Sequence, residues 1–120
     1  MFNVQVLASF NAIHAVTIDG VDEIPHNHEW KVSVTLEGET LDDDGVLIDF
    51  LEVERMLADI IEPLEGTDLN TNSILGVKNP SAERVAMYIG DAMHEHISSP
   101  VRIQSVTVTE APNCRTTYTL

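Results

Sequence analysis

The chain is poor in cysteine, in fixed positive charge and in long apolar runs. Cys114 is the single cysteine among 120 residues, so no intrachain disulfide can contribute to the fold. Lys31, Arg55, Lys78, Arg84, Arg102 and Arg115 are the only lysines and arginines, against 20 acidic residues, and the formal net charge is −14. Such a surface repels phosphate backbones and anionic lipid, so neither nucleic acid nor a membrane is expected as a partner. Any anionic substrate must be met by some of those six cations or by a metal. No apolar stretch approaches the ~18 residues that a membrane-spanning helix requires. The opening MFNVQVLASF carries no basic residue ahead of its apolar ones. A secretory leader is therefore not expected, and the expected compartment is the cytoplasm.

Apolar residues make up 43% of the chain, enough for the core of one ordinary domain spanning residues 1–120. Phe2, Val4, Val6, Ala8 and Phe10 alternate with Asn3, Gln5, Leu7 and Ser9, which predicts a strand with one buried face. Residues 17–25, with Asp19-Gly20 and Asp22, read as a loop. Trp30, Val32, Val34 and Leu36 alternate with Lys31, Ser33, Thr35 and Glu37 in a second strand. The acidic run Asp42-Asp43-Asp44 lacks the spacing of a calcium-binding EF-hand loop and reads as a turn. Val46-Leu47-Ile48 reads as the start of a further strand.

Asp49, with Glu52 three residues on, has the form of a helix capping box. Val53, Met56, Leu57, Ile60, Ile61 and Leu64 then recur at helical spacing, predicting an amphipathic helix over 50–62. Residues 66–79 read as loop. Asn79-Pro80 suits the start of a second helix, whose apolar face is Val85, Tyr88, Ile89, Ala92, Met93 and Ile97. His94 and His96 read as surface residues favourable to that helix's C-terminus when charged, and Glu83 as a first-turn carboxylate favoured by the helix dipole. Residues 101–109 and 115–120 predict two closing strands, with a connection too long for a two-residue hairpin. The predicted class is α+β, in the order β-β-α-α-β-β. It implies a four-stranded antiparallel sheet with both helices on one face. The uncovered face and edges of so small a sheet point to oligomerisation.

The residues that carry chemistry are His26-Asn27-His28 and, twelve positions earlier, His14. On a strand, side chains two apart share a face. Two imidazoles on one face, joined by a third from a neighbouring strand, can hold a metal ion and leave a fourth tetrahedral position open. Taken by itself, a His-x-His is more often a pair of exposed polar residues.

Several segments, in order, resemble the 6-pyruvoyl tetrahydropterin synthase and 6-carboxy-tetrahydropterin synthase family. Phe10-Asn11-Ala12-Ile13-His14 is similar to that family's F-x-A-A-H, and His26-Asn27-His28 to its H-G-H. Gly45-Val46-Leu47-Ile48-Asp49-Phe50 resembles G-M-V-x-D-F, and Leu69-Asn70 the end of D-H-x-x-L-N. Asn79-Pro80-Ser81-Ala82-Glu83 resembles N-P-T-x-E. Val106-Thr107-Val108-Thr109-Glu110 with Tyr118 resembles V-x-V-x-E-T…Y. The resemblance implies a tunnelling fold and Zn2+ held by His14, His26 and His28. It also implies a dihydropterin substrate anchored by Glu110, with Thr109 beside it, and a homohexamer whose sites are shared between subunits.

The departures from the pattern bear on the reaction. The family's catalytic cysteine lies four residues before the first histidine of H-G-H, where this chain has Asp22. Its Asp-His pair falls on Glu65 and Gly66, so the proton-transfer histidine is missing. One branch of the family places a glutamate just ahead of the metal histidines and cleaves the side chain of dihydroneopterin in an aldolase-type reaction. Glu23 resembles that glutamate, and Asp22 stands beside it to share the work. By resemblance the protein is then a lyase with altered chemistry on a dihydroneopterin-type substrate, by side-chain cleavage or phosphate elimination. Two alternatives stand beside that reading. One is a pterin- or zinc-binding module without catalysis, and the other is an oligomer that keeps a metal for folding.

Overall fold

The computed structural model describes residues 1–120. Two long antiparallel strands, β1 (Phe2–His14) and β4 (His26–Gly38), form its spine, paired from Phe2 with Gly38 to His14 with His26. A small hairpin, β2 (Thr17–Ile18) and β3 (Val21–Asp22), joins them in the span expected to be loop. Helix α1 (Phe50–Ile61) runs into a single 3-10 turn at Glu62–Leu64. Next come a two-residue strand β5 (Thr67–Asp68), helix α2 (Ala82–His96), and the closing strands β6 (Arg102–Ala111) and β7 (Cys114–Thr119). The sheet order is β5-β1-β4-β6-β7. The four long strands are antiparallel, as expected. β5 adds a fifth, parallel to β1 at Ala12 and Ile13, too short to show in the sequence pattern.

The helices cover one face. Val6, Phe10, Ala12, Trp30, Val32, Val34 and Leu36 from the sheet meet Val53, Leu57, Val85, Ile89 and Met93 from the helices in one buried cluster. Trp30 is fully buried, stacks on Phe10 at 5.9 Å between ring centroids, and donates its indole N–H to the Ala12 carbonyl. Trp30→Ala is expected to lower unfolding stability by about 3–5 kcal/mol, the usual cost of emptying an aromatic core position. Chemical denaturation would measure it. On the opposite face Leu7 is 71% exposed and the sheet has no cover of its own.

The start of α1 follows its sequence signal, whereas α2 starts later than Asn79-Pro80, at Ala82, with Ser81 as its cap and Pro80 outside the helix. The Asp49 carboxylate accepts from the Leu51 N–H, and the Ser81 hydroxyl accepts from the Arg84 N–H. Two expectations about the strands also fail. Residues 46–48 form no strand. Asp42 accepts from the amides of Asp44, Gly45 and Val46, making a tight turn, and Leu47 is buried beside Gly38, where a Cβ would stand 2.7 Å from its Cδ1. Held inward by Leu47, the segment lies along no free sheet edge. The β6–β7 connection is also shorter than expected: Ala111 pairs with Cys114, leaving only Pro112 and Asn113 in the turn. An irregularity between Thr109 and Ala111 shifts the register and absorbs the extra residue.

At the far end of the sheet, Tyr118 donates to Asp91 at 2.7 Å. That hydrogen bond, and then partial desolvation, raises the Tyr118 pKa above the ordinary tyrosine range. A raised folded-state pKa stabilises the fold below the unfolded value of about 10, and the contribution disappears as pH rises through the folded value. Burial raises the Tyr88 pKa as well, so spectrophotometric titration should show two late-ionising tyrosines, and one after Asp91→Ala.

Candidate metal centre

The pairing of β1 with β4 sets the site. His14 lies directly opposite His26, and Ala12 opposite His28. All three histidines are in phase with Phe10 and Trp30, so they extend the core face beyond its last aromatic layer. The ring centroids of His26 and His28 are 4.5 Å apart, and His14 lies 4.7 Å from His26 and 5.3 Å from His28. His14 is 1% exposed.

Two rings are fixed through their outer nitrogens. His14 Nδ1 is 2.8 Å from the Pro80 carbonyl, and His26 Nδ1 is 2.8 Å from the Ile24 carbonyl. A carbonyl oxygen only accepts, so each Nδ1 carries a proton and each Nε2 is the nitrogen turned toward the centre. This is how metal-binding histidines are oriented from outside the coordination sphere. His14 Nε2 and His28 Nε2 are buried without a hydrogen-bond partner. Burial holds the His28 pKa below the ordinary imidazole range, helped by the His26 and His14 rings, while Glu110 and Glu23 oppose the shift. Buried lone pairs without donors are costly, and a cation at their focus removes that cost.

Glu110 joins the trio. Its Oε1 is 2.8 Å from His14 Nε2, although the approach lacks hydrogen-bond geometry. One ligand atom from each of His14, His26, His28 and Glu110 lies within 4.8 Å of the other three. This donor set, borderline nitrogen with one carboxylate oxygen, suits zinc. Thr109 is placed differently. It pairs with Lys31 on β4, out of phase with buried Val106 and Val108, and faces the open side of the sheet. It reaches the site only at the rim of a cleft of about 500 Å3 that His28, Glu29, Lys31 and Glu110 also line.

Glu23 and Asp22 close the small hairpin. Glu23 Oε1 accepts from the Val16 N–H at 2.9 Å, and Glu23 returns its own N–H to the Val16 carbonyl. The Glu23 charge is felt at His28. Asp22 accepts from the Thr17 hydroxyl at 2.6 Å and is not among the groups acting on His28. Cys114 is exposed and shares a cleft of about 210 Å3 with Glu83, Glu110 and Arg115. It is thus nearer the centre in space than in sequence.

Residues whose spacing alone conveyed no role prove to hold the site in place. Asn70 Oδ1 accepts from the Ala15 N–H and its Nδ2 donates to the Ala15 carbonyl, both at 2.8 Å. Asn79 clasps Thr17 in the same way, at 2.8 and 3.1 Å. Glu65 accepts from the Asn11 N–H, and the Gly66 N–H donates to the Asn11 carbonyl. Loop side chains thereby stand in for a neighbouring strand along residues 11–17, where β5 is too short to serve. The segment bearing His14 is fixed on that side, and Pro80, next to Asn79, receives its ring proton. Asn70→Ala should weaken metal affinity about 10- to 100-fold, as losses outside the coordination sphere do; a chelator competition would read it.

Comparison with known proteins gives a consistent account. The 6-pyruvoyl tetrahydropterin synthase family model matches residues 3–120. No curated protein matches the chain in sequence. Among solved structures, Caenorhabditis elegans 6-pyruvoyl tetrahydropterin synthase superposes with a TM-score of 0.85 at 19% identity, covering 99% of this chain and 95% of that one. The Plasmodium vivax synthase gives 0.77 at 21% identity, covering 98% of both chains. A variant of the latter, with a glutamate changed to alanine at what is described as a catalytic residue, gives 0.77 at 20%, again covering 98% of both. With the match running the length of the chain, the protein belongs to the 6-pyruvoyl tetrahydropterin synthase family.

Proposed function

We propose that the protein is a zinc-dependent enzyme that transforms a dihydroneopterin-type pterin, with Glu23 in place of the family's cysteine. The observation that carries this is the convergence of His14, His26 and His28, two of them locked by backbone carbonyls, with buried nitrogen lone pairs and no protein donor to meet them. Bound there, zinc supplies Lewis-acid chemistry, lowering the pKa of hydroxyl groups on the substrate's side chain.

The remaining roles belong to the chain. Glu110 anchors the pterin: a carboxylate offers two acceptors side by side to the ring's N–H and amino groups. Thr109 contributes from the rim of the adjoining cleft. Glu23 acts as the general base; only Oε1 is engaged by the backbone, and Oε2 takes the proton from a side-chain hydroxyl. In an aldolase-type cleavage that oxygen becomes the carbonyl of the departing fragment as the carbon–carbon bond breaks. The electron pair passes to the pterin ring and is reprotonated to leave a hydroxymethyl group. Asp22 supports the hairpin through Thr17 and shares the acidic environment. A family member described with a catalytic glutamate supports the role of Glu23. The missing histidine at Gly66 disfavours the usual route, and the shortage of cations disfavours a triphosphate substrate.

The uncovered sheet face and the family's assembly support a homohexamer with sites completed by neighbouring subunits. No helix is long and apolar enough to cross a membrane. A second reading, a pterin-binding module without turnover, draws on the engagement of both candidate bases inside the hairpin. Incubating the zinc-loaded protein with dihydroneopterin and with its triphosphate, then resolving the products, separates the two. Conversion of dihydroneopterin supports the enzyme. Pterin binding dependent on Glu110 with no product from either compound supports the module.

A further inference from the structure

Glu110 is the one residue of the centre whose surroundings fit two occupations. It sits at the irregularity between Thr109 and Ala111, where the ladder is broken. It is in phase with buried Val106 and Val108, so the strand's alternation puts the carboxylate on the histidine face. Its Oε1 approaches His14 Nε2 to 2.8 Å. His14 Nδ1 is held by the Pro80 carbonyl, so Nε2 is the nitrogen that faces the carboxylate oxygen. With His26 and His28 the pair brings four donor atoms within 4.8 Å of one another, a spacing that one cation can span. Glu110 has no protein hydrogen-bond donor elsewhere to explain the position. Its side chain is 27% exposed where that of His14 is 1% exposed, and it borders clefts on two sides, of about 210 and 500 Å3. A ligand entering from solvent therefore meets Glu110 before it meets the histidines.

Resting on the metal-centre reading above, we propose that Glu110 is the fourth metal ligand of the ligand-free protein. It closes the coordination sphere and is drawn off only by a ligand that offers paired N–H donors to its carboxylate. The substrate then opens the centre by the same contact that anchors it. Water is kept from the ion in the resting state, and compounds with hydroxyls but no paired donors are rejected. Charge favours the closed state, because three neutral imidazoles leave the ion's double charge uncompensated and the carboxylate halves it.

The test uses the full-length protein loaded with cobalt(II) or zinc. Wild-type cobalt protein should show no line broadening of its paramagnetic resonance in isotopically labelled water, and its visible bands should shift when neopterin is added. Glu110→Gln should acquire the broadening and bind zinc about 100-fold more weakly by chelator competition, the loss expected for one of four ligands. Broadening already present in ligand-free wild type would overturn the proposal, and that measurement does not depend on the variant folding. So would unchanged zinc affinity in Glu110→Gln. Failure of the underlying metal reading looks different: cobalt uptake would then be as weak in wild type as in His28→Ala.

Discussion

His28→Ala is expected to strip the protein of tightly held zinc. Structural zinc sites bind with roughly 10–16 kcal/mol shared over four ligands. One ligand is then worth roughly a quarter of that, or about 10²- to 10³-fold in affinity. His28 suits this test better than His14. The Nε2 of both is buried without a donor, but the His28 pKa is depressed, chiefly by burial, and its ring holds no backbone carbonyl. Its removal takes away a desolvated lone pair while leaving the Pro80 and Ile24 contacts of the other two rings in place. Competition against a chromophoric chelator gives the affinity. The fold of the variant should persist, since Trp30 and the aromatic layer beneath remain packed.

Glu23→Ala is expected to reduce turnover of dihydroneopterin by about 10²- to 10⁴-fold, the usual worth of a positioned general base, with zinc content unchanged. Glu23→Gln separates the base from the hairpin contact, because an amide oxygen still accepts from the Val16 N–H but takes no proton. If the glutamine variant keeps wild-type turnover, Glu23 serves only the hairpin. Asp22→Asn should act mainly on the hairpin through its bond to Thr17, with a small kinetic effect. Product formation by chromatography, alongside metal analysis, separates the cases.

Much of this was legible in the chain because burial imposes short periods. The alternation through Phe2–Phe10 and Trp30–Leu36 gave the two long strands; that they run on in the same phase to His14 and back to His26 comes from their pairing. The spacing of Val53, Leu57 and Ile60 gave α1, and Asp49 its start. What stayed hidden depends on tertiary pairing. Nothing local says that His14 lies opposite His26. β5 exists only because its two residues meet β1. Val46–Ile48 has strand composition, but the Asp42 turn and the burial of Leu47 beside Gly38 decide its conformation. The tight Pro112-Asn113 turn depends on a bulge, and the alternation of β6 turns Glu110, in phase with Val106 and Val108, to the histidines and Thr109 away.

The family motifs were visible as matches before they had reasons. The Leu69-Asn70 and Asn79-Pro80 segments turn out to act on residues 13–17. Each asparagine clasps one backbone unit, and Pro80 fixes the tautomer of His14. Glu65, which the motif resemblance sets against the acid of the family's Asp-His pair, is spent on the Asn11 amide. A side chain committed to holding β1 explains how that position can lose its histidine neighbour without loosening the strand that carries the first metal ligand.

The most direct test of the central claim is anomalous diffraction at the zinc edge from crystals of the purified protein. A single strong peak per chain, within bonding distance of Nε2 of His14, His26 and His28, is the expected result. Zinc-grown crystals with no peak among those three rings would contradict it.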